Sequence, residues 1–359
     1  MKIGILTYHR THNYGGCLQA LATRLFLENM GHEVYYVDYW PDYHKRAYEV
    51  FDKSAFKRNN WKGKINYLLS VIKAYPYTKQ RQKLFEKYHD VYTEPYCRPT
   101  YEQYDVIIYG SDQIWRKQSA LNDYNPVYFG DNDFKAKKHI SYAASMGVLP
   151  DKKKDDDKIA TLLKNLDAIS VRENSLKDYL EKLGFSNIQQ TIDPTLLLDS
   201  KTWDKVIPSE PYQGNKYILI YTLWGEVFDM KSIRALAEKE NLTIKVLRGK
   251  AIKKDTENEI SLADPIDFLR LIKNAEYVFS SSFHGLVFSI IYQKQVFASF
   301  KTNGGRALSL LEALGIPNRY LDNYQSLSFP LARIEYNEVE QKLNALRKSS
   351  VDFLESIKS

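Results

Sequence analysis

From Lys2 to Phe300 short apolar runs alternate with amphipathic stretches, and most of the apolar runs end in a knot of small or polar residues. A chain built this way has few options. Strand and helix in regular alternation imply parallel sheets whose crossover helices cover both faces. Lys2–Tyr8 reads as a first strand. Cys17–Met30 follows as a helix with Leu18, Leu21, Leu25 and Phe26 on one side and Gly31 at its end. Val34–Tyr39 completes a βαβ unit, which should be right-handed. The alternation resumes with strands at Asp105–Tyr109, His139–Ala144 and Ala168–Val171, and helices at Lys158–Leu166 and from Arg172–Ser175 to Leu183.

The pattern loosens over 200–215, where Pro208, Pro211 and Gly214 fall, and then restarts. Strands are expected at Tyr217–Tyr221, Thr243–Leu247, Tyr277–Ser281 and Gln295–Phe300. Helices are expected at Asp229–Glu240, His284–Tyr292, Arg306–Leu314 and Val339–Ile357. A further helix is announced by Asp264-Pro265, an N-cap followed by proline at the first helical position. With 359 residues the chain suits two domains. The reading is an α/β protein with two Rossmann-like domains and parallel sheets: 1–205 with a helical insertion at about 41–100, then 206–330, then a terminal helix in 331–359. No internal repeat is visible.

Composition serves mainly to exclude. Hydrophobic content of 44% with 26% charged residues is globular. The two cysteines, Cys17 and Cys97, imply no disulfide framework and fit a reducing compartment. The first apolar run is too short for a signal peptide, and no run approaches a membrane span. A cytoplasmic location is the expectation. The net charge is +7, and residues 41–100 alone hold 13 Lys+Arg against 6 Asp+Glu, an excess of 13 − 6 = +7. That segment predicts either a solvated basic face or peripheral contact with an anionic membrane surface. The run from Asp151 to Lys158 reads as an exposed linker or helix start.

In open α/β sheets ligands sit beyond the carboxyl ends of the strands. That places the candidates at Asn13 to Gly16, Gly110-Ser111-Asp112, Ser145 to Gly147, Arg172-Glu173, Asp193-Pro194 and Ser280 to Gly285. The richest is Ser280-Ser281-Ser282-Phe283-His284-Gly285, which leads from a strand into a helix. Its serines can cap the helix or meet phosphate oxygens. His284 is the side chain best suited to move a proton near neutral pH. Arg172, at a strand end, has the forked geometry for a carboxylate or phosphate, or for a salt bridge. Asp112 and Asp193 are isolated carboxylates. P-loop and dinucleotide glycine motifs, metal-ligand spacings, a nucleophile elbow and a recognisable nucleic-acid module are all absent, so no metal and no nucleic acid are expected.

Taken in order, these pieces resemble the polysaccharide pyruvyltransferase family. The resemblance is carried by Asn13-Tyr14-Gly15, Gly110-Ser111-Asp112-Gln113-Ile114-Trp115, Tyr142-Ala143-Ala144-Ser145-Met146-Gly147 and Ser170-Val171-Arg172-Glu173. It continues through Asp193-Pro194-Thr195-Leu196-Leu197 and Ser281-Ser282-Phe283-His284-Gly285. It implies a glycosyltransferase-B-like arrangement of the two domains, with no cofactor beyond the donor substrate. That donor would be phosphoenolpyruvate, whose pyruvyl group passes to a sugar of a surface polysaccharide or of its lipid-linked oligosaccharide precursor and forms a ketal. On that resemblance His284 is the acid–base residue and Arg172 holds the donor's carboxylate or phosphate. Asn13, Gly15, Ser111, Asp112, Ser281 and Ser282 line the substrate. Many family members carry arginine two positions before the histidine, where this chain has Ser282. Arg306, 306 − 284 = 22 positions downstream in Thr302-Asn303-Gly304-Gly305-Arg306, is the candidate substitute.

Two other readings share the architecture. A B-type glycosyltransferase using a nucleotide sugar would want a ribose-binding carboxylate, for which Glu312 is the candidate. A non-catalytic scaffold would depend on the basic segment 41–100 and not on His284.

Overall fold

The computed structural model describes residues 1–51, 56–57, 60–150, 153–208, 212, 214–223, 225, 227–251, 253–302 and 304–357. Pro211, Asn303 and Asp151 of the sequence reading lie outside the described residues.

Two all-parallel sheets organise the chain. The first has seven strands in the order β3-β2-β1-β4-β5-β6-β7: β1 Lys2–Leu6, β2 Glu33–Val37, β3 Cys97–Arg98, β4 Gln103–Tyr109, β5 Lys135–Ala144, β6 Ala168–Val171 and β7 Gln189–Gln190. Ile3 of β1 pairs with Val34 on one side and Val106 on the other. The second sheet runs β10-β9-β8-β11-β12, with β8 Tyr217–Thr222, β9 Thr243–Arg248, β10 Glu259–Ile260, β11 Tyr277–Ser280 and β12 Gln295–Ala298. In each sheet the order reverses, between β1 and β4 and between β8 and β11, and a crevice opens at the strand ends there. This is the α/β class of two Rossmann-like units with parallel sheets that the alternation predicts. Every residue of β8 is buried, as expected of a strand covered on both faces, which is why it reads as one apolar run.

Helix ends follow from local chemistry. α1 (Tyr14–Asn29) starts where the Asn13 side chain accepts a hydrogen bond from Gly16 N at 3.2 Å. That is three residues before the apolar periodicity begins, because the Gly15-Gly16 pair offers no side chain to read. α2 is Asp42–Ala47 and α3 is Trp61–Tyr92. The expected basic insertion is largely α3, a 32-residue helix containing Pro76. Its last residues depart from the sequence reading: Cys97 and Arg98, counted with the insertion, pair with Tyr36 and Val37 as the edge strand β3. Helices α4 (Asp156–Leu163), α5 (Asn174–Lys182), α6 (Ser200–Asp204) and α7 (Met230–Lys239) follow. α8 (Pro265–Asn274) carries a full capping box, Asp264 bonding Asp267 N while the Asp267 side chain returns to Asp264 N. α9 (Phe283–Ile291) is buried along its whole length, and α10 is Gly305–Ala313.

One core spans both halves. It joins Leu18 and Leu21 of α1, Phe85 and Tyr88 of α3, Trp203 of α6, Phe268 of α8 and Phe288 of α9. The seam is also polar in places: Arg81 of α3 donates to Tyr14 Oη at 2.6 Å and to Ser261 O, and Tyr14 Oη donates to Ala263 O at 3.2 Å. α11 (Tyr336–Ser356) starts beside the second sheet, with Tyr336 Oη donating to Lys294 O, and ends against the first, where Phe353 and Leu354 pack with Ile3 and Val106. Ile192 N donates to Ser350 Oγ at 3.0 Å.

Candidate active site

The carboxyl ends of the two sheets face a polar cleft of about 390 Å³. Asn13 from the β1–α1 loop, Asp112 and Gln113 after β4, Ser281 to His284 after β11, and Arg306 at the start of α10 all line it. Three of the six predicted strand-end clusters line the cleft, and Asp193, Arg172-Glu173 and Ser145 stand behind it.

His284 sits in the first turn of α9. Its Nε2 is 3.3 Å from Asp193 Oδ2, a charge contact too poorly aligned to count as a hydrogen bond. Its Nδ1 lies against the bare Cα face of Gly15, where a Cβ would come within 2.0 Å of it. Nε2 is turned to the buried carboxylate, and only glycine at position 15 leaves room for the ring on the Nδ1 side.

Asp193 is the hub behind the histidine. Its side chain is 0% exposed, and a buried carboxylate is costly unless paired. Arg172 Nη1 meets Oδ2 at 2.6 Å, while Thr195 N and Oγ1 donate to Oδ1 at 3.1 and 2.6 Å. Burial alone would raise its pKa; His284, Arg172 and Thr195 together outweigh that and hold the carboxyl well below the usual carboxylate range.

Arg172 and Arg306 approach the same ring. Their guanidinium carbons stand 5.0 and 5.2 Å from the centre of Phe283. Glu173 lies beside both, 3.4 Å from Arg172 Nε and 3.8 Å from Arg306 Nε, and accepts from Ser145 Oγ at 2.7 Å. With its side-chain oxygen turned toward Arg306, Gln113 accepts from Nη2 at 2.6 Å. Burial, followed by the like charge of Arg172, pushes Arg306 down to about 10, so it stays cationic at neutral pH. Arg172 Nη2 and Arg306 Nε are buried with no hydrogen-bond partner. Each instead faces a carboxylate oxygen at 3.8 Å, Asp112 Oδ1 for Arg172 Nη2 and Glu173 Oε1 for Arg306 Nε.

The structure separates the sequence candidates. Asn13, Asp112, Ser281, Ser282, His284 and Arg306 reach the cleft. Gly15 is buried beneath His284. Arg172 lines a second cavity of about 320 Å³ on the far side of Phe283, which Arg306 also borders. Glu312 opens on that second cavity and not on the cleft. Ser111 is fully buried, its carbonyl accepting from Thr7 Oγ1 at 3.0 Å and its Oγ unpaired. Ser281 Oγ accepts from Leu223 N at 3.1 Å, and Ser282 is the N-cap of α9 without a side-chain capping bond.

Further residues on the cleft escaped the sequence reading, among them Tyr8, His44, Tyr48 and Arg116. His44 stands edge-on to Tyr8 at 4.3 Å; burial, against the pull of Asp112, pushes it down to about 4, so it is neutral. None lies in a local motif, and only the fold of 41–100 over the first sheet brings His44 and Tyr48 here. Among the described residues no group of three or more His, Cys, Asp or Glu is arranged to hold a metal ion.

A histidine and two arginines are gathered where two parallel sheets face each other in a two-domain α/β protein. The sequence profile of the polysaccharide pyruvyl transferase family matches residues 13–299, a span that holds Asn13, Asp112, Arg172, Asp193 and His284 but not Arg306. The chain belongs to that family, and its activity is that of a transferase acting on polysaccharide. No curated protein sequence matches it. Solved structures similar to it include the UDP-N-acetylglucosamine 2-epimerases of Methanocaldococcus jannaschii (TM-score 0.44, 11% identity, 96% of this chain and 92% of that one) and of Neisseria meningitidis bound to UDP-N-acetylglucosamine (0.43, 10%, 98% and 94%). A glycosyltransferase of Rickettsia africae is similar at 0.42, with 11% identity over 98% of this chain and 93% of that one.

Proposed function

We propose that the protein transfers the pyruvyl group of phosphoenolpyruvate to two hydroxyls of one sugar in a surface polysaccharide or its lipid-linked precursor, forming a pyruvate ketal and releasing phosphate. The observation that carries this reading is the pairing of His284 with two arginines that each keep an unsatisfied buried N–H. In the reaction a proton is added to C3 of the enol phosphate while the first sugar hydroxyl bonds to C2. The C2–O bond to phosphate then breaks, the second hydroxyl takes its place, and the second hydroxyl proton leaves with the phosphate.

Each step has a group suited to it. His284 Nδ1 relays a hydroxyl proton toward C3, and Asp193 holds the ring and steadies its cationic form. Arg306 meets the donor's phosphate or carboxylate at the cleft, with Arg172 as the second cation behind Phe283. Asn13, Asp112, Ser281 and Ser282 lie where they can meet the sugar hydroxyls. The shift of the cation from the position of Ser282 to Arg306 leaves the wall next to His284 small and polar. A lipid-linked acceptor would bring the cleft to a membrane surface, and a peripheral contact through 41–100 belongs to the same reading.

Isothermal titration separates this reading from nucleotide-sugar transfer. Phosphoenolpyruvate is expected to bind, with affinity lost in Arg306→Ala. Binding of UDP- or GDP-sugars without phosphoenolpyruvate would contradict it.

A further inference from the structure

The first half of α3 turns its apolar side outward. Trp61, Ile65, Leu68, Leu69, Ile72 and Tyr75 recur at helical spacing and are all exposed, Trp61 by 77% and Ile72 by 68%. At about 100° per residue they fill one arc of roughly 120°. The opposite side, with Gly63, Tyr67, Val71 and Ala74, is half-buried against the protein, and the Tyr67 ring packs against Phe51 at 5.7 Å. This inverts the usual arrangement of a surface helix, and a contiguous exposed apolar stripe marks an interaction surface.

The charge around the stripe states what covers it. Between Asp52 and Glu86 the sequence contains nine Lys or Arg and no Asp or Glu. Lys62 and Lys73 fall along one edge of the arc and Lys64 along the other. Two copies packed stripe to stripe would bring these cations together with no carboxylate in the segment to pair them. An anionic lipid surface satisfies both halves of the pattern, taking the apolar arc into its acyl boundary and the ammonium groups at its headgroups. Among the described residues no helix is long and apolar enough to cross a membrane, so the helix would lie in the interface plane.

We propose that α3 anchors the protein to an anionic bilayer, with Trp61 to Tyr75 embedded along its length. Beyond Pro76 the same helix turns inward. Thr78 Oγ1 donates to Ala251 O at 3.1 Å, and Gln82 donates to the carbonyl of Tyr48, a residue that lines the cleft. The anchor is thereby rigidly joined to the wall of the candidate site. It stands on the helix alone and holds whichever donor the site uses.

The test is co-sedimentation of the full chain with vesicles of phosphatidylcholine alone and of an equal mixture with phosphatidylglycerol, without substrates. Binding is expected to the mixed vesicles and to be at least about tenfold weaker to the neutral ones. A Leu69→Ser/Ile72→Ser variant, both positions exposed, should melt as the parent does and bind about tenfold more weakly or worse. Trp61→Ser is the independent second variant. The emission of Trp61, taken as the difference between the parent and Trp61→Phe, should shift to the blue on binding. Equal binding by the stripe variants, no binding to mixed vesicles, or a dimer that the double variant dissolves would each overturn the proposal.

Discussion

An alanine Cβ at position 15 would stand 2.0 Å from His284 Nδ1, so the glycine and the histidine are one unit. Gly15→Ala is expected to push the imidazole out of place and lower turnover by at least about 100-fold, near the loss for His284→Ala. Circular dichroism should show both variants folded, and an active Gly15→Ala enzyme would remove Nδ1 from the mechanism. Asp193 can be tested through acid stability. Its folded pKa is depressed, so the stability it contributes is fully present above the ordinary carboxylate value and is lost as pH falls below about 4. Asp193→Asn should therefore unfold with a weaker pH dependence in that acid range. At neutral pH it should be about 3–5 kcal/mol less stable, because the buried Arg172 loses the nearest of its carboxylates and keeps only the longer contacts to Glu173 and Asp112. Urea titrations at several pH values check both signs. His284 was legible in the sequence because a histidine after a run of serines at a strand end is an unusual local pattern. The hub role of Asp193 was not legible, since Asp-Pro reads as a turn and its partners Arg172 and His284 lie 21 and 91 positions away. Likewise nothing around His44 or Tyr48 signals a cleft.

At the scale of elements, the strands were read almost residue for residue wherever both faces are covered, as at Ala168–Val171 and Tyr217–Thr222, because burial on both sides enforces an apolar run. The Asp264-Pro265 start is real and includes a reciprocal capping box. Asp264→Ala should cost about 1 kcal/mol and not more than about 2, measured by chemical denaturation, with activity little changed. Two-residue strands such as Cys97–Arg98 and Gln189–Gln190 left no trace in the sequence, since two residues carry no period and only the neighbouring strand recruits them. The α3 helix was legible as basic and helical but not as one continuous rod. Pro76 breaks the local signal, and the first half leaves an apolar stripe exposed while the second buries Phe85 and Tyr88.

At the scale of the molecule, the two sheets were foreseeable and the depth of their union was not. The alternation predicts two units with a looser join over 200–215. In the folded chain Trp203, within that join, is fully buried, edge-on to Phe288 at 4.9 Å and bonded through Nε1 to Thr195 O at 3.2 Å. Trp203→Ala should cost about 3–5 kcal/mol and loosen both halves together, which calorimetry would show as one transition at lower temperature. Thr195 also bonds Asp193, so the same packing that closes the seam steadies the site. The central claim is the chemistry at that site, and the most direct test follows the donor's carbon. With phosphoenolpyruvate labelled with carbon-13 at C3 and a polysaccharide acceptor, NMR should show the vinyl CH₂ signal replaced by a ketal methyl on the sugar as phosphate appears, with neither change in His284→Ala. An unchanged vinyl signal while the acceptor gains a sugar from a nucleotide donor would contradict the account.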